Sequence, residues 1–180
     1  MIVENLRFKS YKDIYMPRED SYMLAGAVEE HAFGRMLDMG TGSGIQGIVA
    51  AKKGCEVTFC DIDPSAIECA KSNAELNEAK GEFLVSDMFD KIKGRFDTIV
   101  FNPPYLPSNA NRHLALDGGK EGRLYIDRFI KSYKEHINER HAVLLLESSF
   151  NDYDKDVARL HAKVVAKSHY FFEDLAVLLL

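Results

Sequence analysis

Apolar segments with two different spacings alternate along this chain of 180 residues. Short segments rich in apolar and β-branched residues predict strands at residues 35–39, 56–60, 82–85, 96–101 and 141–146. Segments with helical spacing predict helices at residues 45–51, from Pro64 to the region of Asn77, and at 124–137. A further helix is expected after residues 17–21, because Leu24, Ala27 and Val28 share one helical face. Strands that alternate with helices predict one α/β unit.

The C-terminal part of the chain predicts strands of two kinds. Segment 141–146 is almost wholly apolar, which is typical of a strand buried on both faces near the centre of a parallel sheet. Residues 157–160 suggest a last helix, and residues 164–170 and 175–180 suggest two strands separated by only a few residues. So short a connection permits a hairpin but no parallel crossover. The expected sheet therefore has five parallel strands and a terminal antiparallel hairpin.

Composition and charge oppose several functional classes. The 23 Lys and Arg against 28 Asp and Glu give a net charge of −5, whereas nucleic-acid-binding surfaces are cationic. The longest apolar runs, 142–146 and 175–180, are far shorter than the ~20 residues that cross a bilayer. Residues 1–10 lack the apolar core of a secretory signal. We therefore expect a single domain over residues 1–180 that resides in the cytoplasm.

Cysteines and histidines give no support for a disulfide framework or a metal site. Cys55, Cys60 and Cys69 lack C-x-x-C spacing, and we interpret them as thiols of the core. The six histidines form no H-E-x-x-H or similar pair. We expect no bound metal.

Residues 38–44, Asp-Met-Gly-Thr-Gly-Ser-Gly, lie at a predicted junction between a strand and a helix. Their glycines permit a tight turn and let the backbone approach a nucleotide-like cofactor at the helix N-terminus. Residues 42–47 also satisfy the G-x-G-x-x-G pattern of nicotinamide enzymes, so NAD is an alternative cofactor. Asp38 favours S-adenosylmethionine, because a carboxylate pairs with an ammonium group and repels a pyrophosphate.

Acidic residues follow the next two predicted strands. Asp61 lies about 20 residues after the glycines, the spacing at which an acid accepts hydrogen bonds from ribose hydroxyls. Asp63 is the expected N-cap of the helix that begins at Pro64. Asp87 is placed to receive an adenine amino group while Met88 covers the ring. The alternative for Asp87 is an acid in a solvated turn.

Residues 102–105, Asn-Pro-Pro-Tyr, follow the fourth predicted strand and form the most specific pattern in the chain. Where strand order reverses between the first and fourth strands, their carboxyl ends open onto one crevice, so this tetrapeptide would face the glycine loop. An amide or aromatic amine nitrogen is a poor nucleophile because its lone pair is delocalised. The Asn102 side-chain carbonyl and the Pro103 main-chain carbonyl could hold its two hydrogens, while the prolines fix the backbone and Tyr105 packs on the planar group. A proline-rich turn is the alternative.

Taken together, these residues resemble the HemK family of protein glutamine N5-methyltransferases, which modify the Gly-Gly-Gln tripeptide of peptide chain release factors. The resemblance covers almost the whole chain. Its matches are a Pro-Arg-x-Asp-Ser/Thr segment at 17–21, the glycine loop at 38–44, a ribose acid at Asp61, an adenine-side acid at Asp87, Asn-Pro-Pro-Tyr at 102–105, a glycine-bearing loop at 115–122 and a fifth strand at 144–147.

The resemblance implies a Rossmann-like class I methyltransferase that uses S-adenosyl-L-methionine. The implied sheet has seven strands in the order 3-2-1-4-5-7-6, with helices on both faces. The implied catalytic residues are Asn102, Pro103, Pro104 and Tyr105. The implied cofactor-binding residues are Pro17, Asp20, Ser21, Asp38, Gly40, Thr41, Gly42, Gly44, Asp61, Ile62, Asp87, Met88 and Asn102. From composition alone, residues 17–21 are equally well a capped helix start rich in acids.

The short segment before Pro17 is similar to the branch of the family found in archaea and eukaryotes. Some members of that branch work with a small zinc-binding activator subunit, which is therefore a candidate partner beside the release factor. Three other functions remain open: methylation of a base in RNA or DNA, protein lysine methylation, and a non-catalytic cofactor-binding subunit. The charge opposes the first. A lysine amine needs deprotonation rather than two carbonyl acceptors, and the intact Asn-Pro-Pro-Tyr opposes the third.

Overall fold

The computed structural model describes residues 2–107, 117–170 and 172–180. The strands are β1 (Arg35–Met39), β2 (Glu56–Asp61), β3 (Glu82–Val85), β4 (Phe96–Phe101), β5 (Ile137–Ser148), β6 (Lys163–Tyr170) and β7 (Glu173–Leu179). The α-helices are α1 (Glu19–His31), α2 (Ile45–Lys52), α3 (Pro64–Leu76), α4 (Leu124–Ser132) and α5 (Tyr153–Leu160). Short 3-10 turns cover Ile2–Asn5, Tyr133–His136 and Ser149–Asn151.

The strands form one seven-stranded sheet in the order β3-β2-β1-β4-β5-β7-β6, which confirms the expected topology. The first five are parallel, and β7 runs antiparallel to both β5 and β6. Met39 of β1 is level with Cys60 of β2 and with Phe101 of β4. The residues that directly follow these three positions therefore meet at one edge of the sheet, where the strand order reverses.

Helices cover both faces of the sheet because alternate strand residues point to opposite sides. Met36 packs in a core with buried residues of α1, α2 and α3, whereas its neighbour Leu37 packs in a second core with buried residues of α4 and α5. Leu144 and Leu145 of the central strand β5 divide between the same two cores. Each such fully buried side chain contributes about 1.5 to 3 kcal/mol to stability.

The predicted helix over residues 124–137 is wrong at its C-terminal end. The helix α4 ends at Ser132, and Ile137 already pairs with Phe96 as the first residue of β5. This part of β5 was missed because the residues after Ile137 are polar and largely exposed, unlike the buried residues from Ala142 onward. Asn138 is held there by donating from Nδ2 to Asp97 Oδ1 at 2.7 Å.

The N-terminal and C-terminal helices also begin earlier than expected. The first turn of α1 contains Glu19 and Asp20, so residues 19–21 belong to the helix rather than precede it. Acids in a first turn are favourable because they face the positive end of the helix dipole. The helix α5 begins at Tyr153 rather than near Val157, again with acids in its first turn.

Two further expectations concern burial and membrane insertion. Cys55, Cys60 and Cys69 are buried and free, in agreement with their interpretation as core thiols. Within residues 2–107, 117–170 and 172–180, no helix has the length and apolar character needed to cross a membrane.

Candidate active site

A cavity of about 720 Å³ lies at the carboxyl edge of β1 to β4. Its size falls within the range of roughly 300 to 1,000 Å³ for small-molecule sites. Most of the residues proposed from sequence line it: Asp20, Ser21, Asp38, Gly40, Thr41, Gly42, Asp61, Ile62, Asp87, Met88 and Asn102 to Tyr105. Pro17 and Gly44 are not among the described residues that line it. Gly44 begins α2 at a φ of 88°, where a Cβ atom would lie 3.1 Å from the Cα of Ala70.

Asp38 stabilises the turn that leads from β1 into α2. Its Oδ2 accepts hydrogen bonds from Thr41 Oγ1 at 2.6 Å and from the Gly47 backbone N–H at 2.9 Å. Burial raises the pKa of this carboxyl to about 7, although both hydrogen bonds oppose the shift. A cation in the cavity would favour the ionised form. The acid therefore suits a ligand that carries positive charge.

Asp61 connects the glycine loop to the turn after β2. Its Oδ2 accepts from the Gly42 backbone N–H, and its Oδ1 accepts from the Asp63 backbone N–H, both at 3.0 Å. Burial raises the pKa of Asp61, and the two backbone hydrogen bonds act in the opposite direction. Asp63 caps α3 by accepting from the Ser65 backbone N–H at 2.8 Å, which confirms its predicted structural role.

Two residues of α4 near Asp87 were not expected from the sequence: Tyr125, which lines the cavity, and Arg128, which pairs with Asp87. Asp87 Oδ1 lies 3.0 Å from Arg128 Nη2, and the Arg128 guanidinium also lies over the Tyr125 ring. Met88 follows Asp87 with a φ of 46°. The only sequence signal for this contribution is that Tyr125 and Arg128 lie three residues apart, a spacing common to every helix.

Asn102 follows β4 and is joined to the first turn of α1. Its Nδ2 donates to Asp20 Oδ2 at 3.1 Å. Within the part of the chain that the structure describes, its Oδ1 is buried without a hydrogen-bond partner. Gln46 offers a similar acceptor, because its Nε2 donates to the Ser21 carbonyl at 3.0 Å while its buried Oε1 has no described partner. Both residues line the cavity, so two unused acceptors belong to one site.

Asn151 holds the backbone of the Asn-Pro-Pro-Tyr tetrapeptide by hydrogen bonds. Asn151 Nδ2 donates to the Tyr105 carbonyl at 2.8 Å and to the Gly122 carbonyl at 3.1 Å. Its Oδ1 accepts from the Ser148 backbone N–H at 3.0 Å. A Cβ atom on Gly122 would collide with the Tyr105 carbonyl oxygen, so a glycine is required at this contact. Sequence reasoning did not find Asn151.

The loop at 115–122, which resembled the glycine-bearing loop of the family, is described only in part. Ala115 and Leu116 lie outside the described residues. Further along the loop, the Gly118 backbone N–H donates to the Leu106 carbonyl at 3.0 Å. A Cβ atom added to Gly118 would lie 2.6 Å from the Pro104 carbonyl oxygen, so this part of the loop lies against the tetrapeptide.

The N-terminal segment forms another part of the cavity wall, with Ile14, Tyr15 and Met16 among its lining residues. The strand-free stretch before them is fastened to α3 by side-chain amides. Asn77 exchanges hydrogen bonds with the backbone of Arg7, at 2.9 Å and 2.7 Å. These attachments were not visible in the sequence, because they join residues 70 positions apart.

The sheet order, the glycine loop and the polar cavity define a Rossmann-like methyltransferase. The methyltransferase small domain family model matches residues 18–167, and the chain belongs to this family. The enzyme is an S-adenosyl-L-methionine-dependent methyltransferase, and S-adenosyl-L-methionine is its cofactor. The resemblance to the short HemK-type branch is confirmed by the relatives described next.

Two similar proteins align with nearly the whole of this chain. A Methanocaldococcus jannaschii protein described as a candidate protein N5-glutamine methyltransferase is 34% identical over 98% of this chain and 95% of its own. The E. cuniculi Mtq2–Trm112 complex, which methylates the eRF1 translation termination factor, matches 93% of this chain and 97% of its own, with 26% identity and a TM-score of 0.74.

Ribosomal RNA small subunit methyltransferase C is a third relative. The Escherichia coli O7:K1 protein is 29% identical over 74% of this chain, which spans only 43% of that protein. The T. thermophilus enzyme, solved with AdoMet and guanosine, shares the fold at 19% identity and a TM-score of 0.64, over 91% of this chain and 43% of its own.

Proposed function

We propose that this enzyme methylates the side-chain amide of a glutamine, in the Gly-Gly-Gln motif of a peptide chain release factor. The observation that carries the proposal is Asn102 Oδ1, a buried acceptor without a described partner in a residue that lines the same cavity as the glycine loop. The relative named for glutamine methylation supports it, because 34% identity extends over both proteins almost completely. The methylation of eRF1 by the Mtq2–Trm112 complex supports the substrate class.

The residues that line the cavity fit S-adenosyl-L-methionine. Asp38 is a buried acid that a cationic group would favour in its charged form, and Gln46 Oε1 is an unused acceptor near it in the chain. We assign the amino-acid end of the cofactor to these two residues, the ribose to Asp61 and the adenine to Asp87. When bound, the cofactor supplies an electrophilic methyl group.

The tetrapeptide would prepare the amide nitrogen for attack. Asn102 Oδ1 and the Pro103 carbonyl accept the two amide hydrogens, which turns the nitrogen lone pair toward the methyl group. The same two oxygens stabilise the positive charge that develops on nitrogen during transfer. Tyr105 packs on the planar amide. As the bond from nitrogen to the methyl carbon forms, the bond from that carbon to the cofactor sulfur would break, one proton would pass from the nitrogen to water, and the product would be a neutral N-methyl amide.

A nucleobase amine is the second candidate substrate, because the RNA methyltransferase relatives act on ribosomal RNA and an exocyclic amine is also a planar nitrogen. Two observations favour glutamine. The net charge of −5 opposes binding to a polyanion. The chain spans 95% of the relative named for glutamine methylation but only 43% of the relative named for ribosomal RNA methylation.

We further infer the partners and setting of the reaction. A small activator subunit is a candidate partner, since the E. cuniculi relative was solved in complex with Trm112. That such a subunit binds zinc rests on the family resemblance alone. The substrate acts in translation termination, so we infer a cytoplasmic enzyme whose single catalytic domain covers residues 1–180.

The test is mass spectrometry of a release factor treated with the enzyme and labelled S-adenosyl-L-methionine, with and without an activator subunit. We expect one added methyl group on the glutamine of Gly-Gly-Gln and none on a substrate with Gln→Ala. The Asn102→Ala enzyme should lose about 10² to 10³ in rate while it keeps its cofactor affinity. Comparable labelling of ribosomal RNA, DNA or a lysine peptide in parallel reactions would replace the proposal with that substrate class.

A further inference from the structure

Asp20 is a buried carboxylate that accepts hydrogen bonds from neighbouring side chains and from the backbone. Its Oδ1 accepts from Tyr15 Oη at 2.9 Å, from the Ser21 backbone N–H at 2.6 Å and from Ser21 Oγ at 3.1 Å. Its Oδ2 accepts from Asn102 Nδ2 at 3.1 Å. Asp20 is 4% exposed. Three of these contacts hold the carboxylate still, and the fourth reaches the tetrapeptide.

This arrangement fixes which end of the Asn102 amide faces Asp20. An ionised carboxylate has no hydrogen to donate, so it can accept from the amino group of Asn102 but repels the carbonyl oxygen. The carbonyl oxygen is therefore kept away from Asp20 and remains available as an acceptor. Hydrogen bonds in a chain also polarise one another, so a negative charge at the amino group strengthens the opposite oxygen as an acceptor.

Two tyrosine phenols, those of Tyr15 and Tyr105, interact with the Asp20 carboxylate. Burial raises the pKa of the Tyr15 phenol, and the charge of Asp20 raises it further. The same two causes, in the same order, raise the pKa of Tyr105. Both phenols are therefore neutral hydrogen-bond donors near neutral pH.

We propose that Asp20 is a positioning residue for methyl transfer, which holds the amino group of Asn102 so that Oδ1 faces the substrate nitrogen. The proposal rests on the substrate class proposed above and differs from the role of cofactor ligand that the sequence suggested for Asp20. The two roles predict different effects when the Asp20 carboxylate is removed. A positioning residue affects the rate at saturating cofactor, whereas a cofactor ligand affects the affinity for cofactor.

The first test compares Asp20→Ala and Asp20→Asn with Glu19→Gln, which removes a charge from the adjacent, exposed position of the same helical turn. We expect both Asp20 variants to lower kcat about 10²-fold, with the dissociation constant for S-adenosyl-L-methionine changed less than threefold in calorimetry. Glu19→Gln should match the wild type. A cofactor affinity at least tenfold weaker, with kcat retained at saturation, would overturn the proposal.

The second test asks whether Asp20 acts through Asn102. The double variant Asp20→Ala/Asn102→Ala should be no slower than Asn102→Ala alone, because a residue that positions Asn102 has nothing left to position. Multiplied losses would contradict the assignment. If a guanine-containing RNA accepts the methyl group in place of glutamine, the same double-variant experiment is run with that RNA as substrate. The role of Asp20 is then tested independently of the proposed glutamine substrate.

A third readout needs no activity and distinguishes loss of positioning from loss of fold. In 15N NMR spectra, the side-chain amide of Asn102 is identified by its absence from Asn102→Ala. We expect this amide to move and to exchange faster with water in Asp20→Asn, while backbone resonances of the sheet stay in place. An unchanged Asn102 amide in a folded Asp20→Asn variant would refute the contact.

Discussion

Gly122→Ala tests the contact between the loop before α4 and the tetrapeptide to which we assign catalysis. Gly122 has a φ of 69°, and an added Cβ atom would collide with the Tyr105 carbonyl and lie 2.5 Å from Asn151 Nδ2. A matched control is Gly54→Ala, because Gly54 also has a positive φ, of 97°, but no atom of the residues that the structure describes lies within 4 Å of its added Cβ. Both variants place alanine in a left-handed conformation, but only the Cβ atom of Gly122→Ala would contact the tetrapeptide.

The expected magnitudes follow from this difference. The left-handed backbone costs roughly 1 to 2 kcal/mol in either variant. Gly122→Ala should add about 1 to 3 kcal/mol for overpacking against atoms that have little room to move. For a protein of this size, 1 kcal/mol corresponds to about 2 to 4 °C in Tm. The Tm of Gly122→Ala should therefore lie about 2 to 12 °C below that of Gly54→Ala.

Activity should separate the two variants more sharply than stability. A displacement of about 1 Å in the groups that orient a substrate can cost 10²-fold in rate, and this is the role that we propose for Tyr105. Gly54 lies between α2 and β2, at the opposite edge of the sheet from the cavity, so Gly54→Ala should keep the wild-type kcat at a temperature where it is folded. Thermal melts and methyl transfer to a Gly-Gly-Gln substrate measure both quantities. Equal Tm and equal kcat for the two variants would refute the reasoning.

Three further predictions concern buried acids. Asp61→Ala should weaken cofactor binding by about 1.5 to 3 kcal/mol in calorimetry. Asp63→Ala should lose only the helix cap, which costs about 0.5 to 2 kcal/mol of stability. If the two variants bound the cofactor with equal affinity, the ribose site would have to lie elsewhere. Cofactor affinity should rise from pH 5.5 to 7.5 as Asp38, with a pKa of about 7, loses its proton beside an ammonium group, and Asp38→Asn should bind weakly with no such slope. Burial and the charge of a neighbouring acid raise the pKa of Glu147 in the folded state. The stability that Glu147 contributes is therefore fully present below its unfolded pKa of about 4.3 and is lost as pH rises through its folded pKa. In urea unfolding, the free energy of unfolding of Glu147→Gln should differ less between pH 5 and pH 8.5 than that of the wild type.

Much of the sheet was predictable because its strands are short, apolar and bounded by residues that end them. The predicted bounds of β1, β3 and β4 coincide with the observed Arg35–Met39, Glu82–Val85 and Phe96–Phe101. The start of β5 was not predictable, because its polar residues 138–141 lie where the register with β4 shifts, between Ile137 and Ala142, and form no hydrophobic face.

The site was predictable where one segment of chain contains the whole pattern. The glycine loop and the tetrapeptide are each contiguous, so their chemistry could be inferred before their surroundings were known. The bonds that fix them join distant residues: Asp20 and Asn102 are 82 positions apart, and Asn151 reaches Tyr105 across 46. No spacing rule connects such pairs, since only the folded sheet brings them together.

These distant bonds hold the tetrapeptide at both of its ends. At one end, Asp20 of α1 holds the side chain of Asn102. At the other end, Asn151 holds the Tyr105 carbonyl, and the Asn151 carbonyl in turn accepts from Arg123 Nη1. Arg123 is fixed by an ion pair with the buried Asp156 of α5 at 2.6 Å.

Two prolines stiffen the backbone between these anchors. A planar nitrogen has no charge by which an enzyme could grip it strongly, so its orientation depends on acceptors that do not move when it binds. The acceptors are kept in place by the two buried cores, one on each face of the sheet between the strands and the helices. Such close-packed interiors are rigid, because they transmit a displacement instead of absorbing it. The pattern to which we assign catalysis is local in sequence, but the rigidity on which that role depends comes from the whole fold.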